Sequence, residues 1–142
     1  MVDVPMMTAV LLALSCSGFV VALGVHVAAG IGALPSTGFL LGLMVGGVVA
    51  VLPAHYGHPN HERVLDYRFL GPTLGEYPRW LKLFLGALLT YMLCFLFVRD
   101  LPPRWNIGRD PLSPATAQAG AIVAAWLYAF SGALLFDKKR RT

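Results

Sequence analysis

The densest run of chemically versatile side chains in the sequence is His55-Tyr56-Gly57-His58-Pro59-Asn60-His61-Glu62. Neutral imidazoles bind zinc, copper, nickel or ferrous iron, and three that converge leave a coordination position open. Gly57 and Pro59 break helical geometry, so the segment can fold back and bring His55, His58 and His61 together. Glu62 can then serve as a fourth ligand or orient a ligand ring. The repeated His-x-x-His spacing is not a specific metal signature, however, and histidine, tyrosine and asparagine are equally at home at a lipid headgroup. We expect an interfacial loop and keep a metal or catalytic site as the alternative.

His26 stands alone in the first apolar stretch. A bis-histidine haem site needs a second histidine at the same depth. If the first two apolar stretches form an antiparallel pair, His55, His58 and His61 lie at the opposite membrane face, about 30 Å away. His26 is therefore expected to be a hydrogen-bonded residue near the interface and not a ligand. No HExxH, GxSxG, phosphate-loop or dinucleotide fingerprint occurs. No Ser/His/Asp set shares one depth, and the apolar stretches hold no carboxylate for a proton relay.

The elements that must position these residues follow from composition. Of 142 residues, 57% are hydrophobic and 13% charged, where a soluble domain carries about 25% charged residues. No Lys, Arg, Asp or Glu lies between Asp3 and Glu62, from Leu83 to Val98, or from Pro111 to Phe136. A helix in water needs a charged face, and these stretches have none. A soluble globular domain, a disordered chain and a nucleic-acid-binding module are thereby excluded, despite a net charge of +4.

About 20 apolar residues cross a hydrocarbon core. Four stretches qualify, at about residues 6–29, 36–54, 80–98 and 115–136, within one membrane domain covering 1–142. The expected fold is an all-α integral membrane protein, an antiparallel bundle of four transmembrane helices. The first stretch has no basic n-region and outruns a signal-peptide core, so it is expected to be a retained anchor. Ala13-Leu14-Ser15-Cys16 resembles a lipoprotein cleavage site only superficially. The uncharged segment Gly30–Pro35 suits a tight hairpin, and Ser113 with Pro114 suits a helix start. A short interfacial helix is expected over His61–Leu70, with Asn60 as its cap and an irregular loop as the alternative. Trp80, Tyr77 and Trp105 suit the interfacial belt, whereas Tyr128 and Trp126 fit either the belt or the bundle interior.

Eight basic residues (Arg63, Arg68, Arg79, Lys82, Lys138, Lys139, Arg140 and Arg141) fall on the side that holds both termini and the 55–82 loop. Three, Arg99, Arg104 and Arg109, fall on the other. The excess of basic residues on cytoplasmic loops then places both termini in the cytoplasm. The Lys138–Arg141 tail is read as a topology anchor attracted to anionic lipid. Cys16 and Cys94 lie inside apolar stretches and are expected to be small packing residues, not a disulfide.

Small residues recur every four positions. The second stretch carries Gly38, Gly42, Gly46, Ala50 and Ala54, and the fourth carries Ala117, Ala121, Ala125, Ala129 and Ala133. In lipid, helices associate through close backbone approach and dispersion, which small residues allow. The stripes are expected to pack within the chain or to receive another membrane subunit or a second copy. The leading functional expectation is thus a non-catalytic accessory or assembly subunit of a larger membrane complex, with no resident cofactor. A metal-dependent membrane enzyme or metal-handling protein that binds zinc, copper or iron through the histidine loop is the alternative. An oligomeric channel or transporter is weaker, because the spans lack a polar lining.

Overall fold

The computed structural model describes residues 4–56, 78–98 and 113–141. Within them are four helices: α1 (Val4–Gly30), α2 (Thr37–Tyr56), α3 (Arg79–Val98) and α4 (Pro114–Arg141). All four are long and apolar enough to cross a membrane, over Pro5–Gly30, Thr37–Ala54, Arg79–Phe97 and Pro114–Phe136. These limits fall within a residue of the apolar stretches read from the sequence. The interfacial helix expected over 61–70 and the loop carrying Arg99, Arg104 and Arg109 lie outside the described residues.

Local chemistry sets the helix ends. The α1–α2 hairpin closes α1 with a Schellman motif, in which Ala33 N–H donates to the Ala28 carbonyl at 2.9 Å and Gly32 N–H to Ala29 at 3.2 Å. Gly32 sits at φ +91°, a conformation that side chains disfavour. Ser36 caps α2 by accepting the Phe39 N–H at 3.2 Å, and Ser113 caps α4 by accepting Thr116 N–H at 3.2 Å. Pro114 follows at the first helical position, where its missing donor costs nothing. Two outward-facing hydroxyls bond inside their own helices, Ser17 to the Ala13 carbonyl and Thr90 to the Gly86 carbonyl. This back-bonding lets a hydroxyl face lipid without an unpaired donor.

Helix α4 is the hub. Some 56% of its span is buried, against 17% for α1, 22% for α2 and 6% for α3. The alanine-rich sequence explains this, because a helix with small side chains on several faces admits neighbours on each. Against α1, Ser15 meets Ser131, Gly18 meets Tyr128 and His26 meets Gln118, so rising numbers in α1 meet falling numbers in α4. Against α2 the numbers rise together, with Leu40 on Gly120, Gly47 on Leu127, and Ala54 beside Leu134 and Leu135. Against α3 they oppose again, with Leu81 on Ala133 and Leu88, Met92 and Phe95 packed against the cluster of Ile122 and Ala125. Val20, Leu83 and Phe97 are 67%, 73% and 80% exposed, a load of outward apolar surface suited to lipid and not to water.

Candidate functional site

The principal polar cluster ties three helices near the end of α1. His26 is only 5% exposed. Its Nδ1 lies 2.8 Å from the Gln118 main-chain oxygen, and its Nε2 lies 2.8 Å from the Tyr91 hydroxyl. A carbonyl only accepts, so Nδ1 donates; in the tautomer that carries its proton on Nδ1, Nε2 accepts from the tyrosine O–H. Gln118 reciprocates, its Nε2 donating to the His26 main-chain oxygen at 3.4 Å. A Cβ on Gly30 would collide with that amide, so the glycine leaves it room. Tyr91 and Phe95 meet the imidazole edge-on, with centroids at 5.6 and 5.1 Å. Every ring nitrogen of His26 is thus engaged within the protein. The expectation of a hydrogen-bonded histidine agrees with this arrangement, whereas neither Gln118 nor Tyr91 was expected as a partner.

A second cluster holds three helices toward the opposite end of α4. Ser131 donates to the Ala50 main-chain oxygen at 2.9 Å, which leaves its own oxygen to accept from Ser15, also at 2.9 Å. Ser131 is fully buried and Ser15 nearly so. Ala50 neighbours Val49, whose carbonyl has no intrahelical donor because Pro53 has no N–H. Both clusters pair buried polar groups across helices, as a bilayer interior demands. Among the described residues the buried Trp126 Nε1 lacks a partner, while its ring stacks on Phe130 at 5.3 Å.

The small-residue positions divide between interior and exterior. Ala121 and Ala125 are fully buried on α4, and Ala129 and Ala50 are half-buried. Gly46 faces the Tyr128 hydroxyl, leaving no room for a side chain. Gly38 and Gly42 point away from the other described residues, none of which comes within 4 Å of where a Cβ would stand. Tyr128 lies in the bundle interior, wedged between Gly18 of α1 and Gly46 of α2. Cys16 and Cys94 are both free, and both are exposed. They are therefore not the interior packing residues expected; on lipid-facing surface a thiol needs no burial to be accommodated.

Of the metal candidates, His55 falls in the last turn of α2, and His58, His61 and Glu62 lie outside the described residues. Among the described residues no group of three or more His, Cys, Asp or Glu is placed to hold a metal ion. His26 stays remote from His55. It is level with Gln118, whereas Ala54 is level with Leu134, 16 residues along α4 and hence about 24 Å away. Compared with known proteins, the chain matches no family model, no curated protein and no solved structure.

Proposed function

We propose that this chain is a non-catalytic accessory or assembly subunit of a larger membrane complex, built as an antiparallel bundle of four transmembrane helices. The opposed registers of α1 and α3 against α4, and the shared register of α2 with α4, support the up-down-up-down arrangement. The observation that carries the assembly role is the outward face of α2. Gly38 and Gly42 stand on it with open space before them, flanked along the same face by the exposed Val45 and Val49. Two glycines one turn apart let a second helix approach until backbones touch. The valines, stiff at χ1, lose little freedom on being covered. Lipid fills such a groove poorly, and another transmembrane helix fills it well.

Gly42→Leu tests this directly. The isolated variant should insert and melt like the wild type, since nothing among the described residues opposes the new side chain and helix propensity improves. Its partners, co-purified from native membranes in mild detergent and counted by mass spectrometry, should be depleted about fivefold or more, the loss expected when overpacking costs about 1–3 kcal/mol. Unchanged co-purification would remove this face from the assembly.

The proposed orientation puts both termini and the 55–82 loop in the cytoplasm. An impermeant maleimide applied to intact cells should label Ile107→Cys and spare Thr73→Cys. The reverse pattern inverts the topology.

A further inference from the structure

We propose that His26 is a proton-sensitive latch: its neutral ring holds α3 on the bundle, and protonation releases that helix. The latch is a chain of two hydrogen bonds, from the Tyr91 hydroxyl to Nε2 and from Nδ1 to the Gln118 main-chain oxygen, each 2.8 Å long. With a neutral ring the chain balances. Its two donors are the Tyr91 O–H and the Nδ1–H, and its two acceptors are Nε2 and the carbonyl. A proton added at Nε2 turns that acceptor into a donor. The new N–H then bonds to the Tyr91 oxygen, and the tyrosine's own proton is left without an acceptor. Tyr91 is 49% exposed within a span, where lipid offers none.

The new charge meets no counter-ion among the described residues. Helix α3 carries no Asp, Glu, Lys or Arg from Leu83 to Val98; Tyr91 is its titratable group against the ring, and Cys94 is exposed. Helix α4 presents the neutral Gln118, with Tyr128 ten residues further along. Helix α2 has no titratable side chain from Thr37 to Ala54, and on α1 itself Cys16 is ten residues away. Arg99, Asp100, Arg104, Arg109 and Asp110 lie outside the described residues. The ring is 5% exposed and meets Tyr91 and Phe95 edge-on, so an imidazolium there is a bare charge in an apolar setting, which a bilayer disfavours. Both costs belong to the docked arrangement. Both fall when α3 moves off, because His26 is four residues from the end of α1, about 6 Å of helix, and water then reaches it. Helix α3 is the element that gives way, since 6% of its span is buried. Histidine changes charge between about pH 5 and about pH 8, so the latch is closed at the upper end and opens as pH falls.

The test follows amide hydrogen exchange of the full chain in lipid bilayers at about pH 8 and about pH 5, corrected for the intrinsic effect of pH on exchange. Residues 79–98 of the wild type should exchange faster at the lower pH by about threefold to about 18-fold, the worth of one interhelical hydrogen bond. Helices α1, α2 and α4 should keep their protection. His26→Gln retains a donor and an acceptor at the tip of its side chain and takes up no proton, so α3 should stay docked at both pH values. His26→Leu, with α3 loosened throughout, should show no acid effect either. Equal exchange of α3 at the two pH values in the wild type overturns the proposal. So does an acid effect that survives in His26→Gln or His26→Leu, which would move the sensor to His55, His58 or His61. Loss of protection spread evenly over all four helices also overturns it, as ordinary acid unfolding.

Discussion

Replacing Gly18 with leucine should unseat α1 from α4 and lower the melting temperature of the detergent-solubilised protein by several degrees. A Cβ at this position lands inside the Tyr128 ring, whose hydroxyl end already abuts Gly46 on α2, so the ring must leave its slot to admit it. Tyr128 therefore occupies a slot cut by two glycines on two different helices. Overpacking of this kind costs about 1–3 kcal/mol, more than the gain of up to about 1 kcal/mol in helix propensity on losing a glycine. Gly24→Leu, on the same helix but with open space before it, should melt at or above the wild-type temperature. Combining Gly18→Leu with Tyr128→Ala should recover part of the loss, a coupling of about 0.5–3 kcal/mol between touching positions. If Gly18→Leu and Gly24→Leu melt alike, Tyr128 does not hold α1 to the hub.

The four helices were legible because charge is absent from long uninterrupted stretches, and in a bilayer that single property dictates both length and secondary structure. The cap at Ser113 was legible for a similar reason, since it stands before Pro114 and an apolar run, whereas Ser36, which caps α2, was counted within the second stretch. What periodicity obscured was direction. A residue spaced by four advances about 40° around a helix of 3.6 residues per turn, so four such steps do not trace a straight face. Along α2 that drift carries the stripe from the open Gly38 and Gly42, through Gly46 against Tyr128, to the buried Ala54. The same spacing on α4 stays largely buried, because neighbours surround that helix. A stripe in sequence cannot tell a hub from a rim.

The partners of His26 were missed although the signal for one of them was present. Gln118 is the only glutamine in the chain, and it lies one turn inside the start of its span, as His26 lies one turn inside the end of its own. Adjacent spans that run in opposite directions place two such residues at one level. Tyr91 carried no such marker: it sits mid-span in α3, half-exposed, and only the side-by-side placement of α3 and α1 brings its hydroxyl to the imidazole.

His26→Leu should therefore release α3 before it disturbs the rest of the bundle. The substitution puts an apolar side chain of similar reach in place of the imidazole and removes two hydrogen bonds at once, one to α4 and one to α3. Interhelical hydrogen bonds in membrane proteins average about 0.6 kcal/mol and reach about 1.7, so the pair is worth about 1–3 kcal/mol. The Gln118 carbonyl belongs to a helix and can keep a backbone donor; the Tyr91 hydroxyl loses its acceptor outright. Helix α3 has the least burial of the four to make good that loss. Amide hydrogen exchange followed by mass spectrometry should show faster exchange across 79–98, with α1, α2 and α4 little changed. Tyr91→Phe should reproduce the effect on α3 at about half its size, and Gln118→Leu should loosen α1 against α4 while sparing α3. Uniform loss of protection over all four helices would mean that the histidine holds the whole bundle, and unchanged exchange in α3 would mean that the Tyr91 contact contributes nothing.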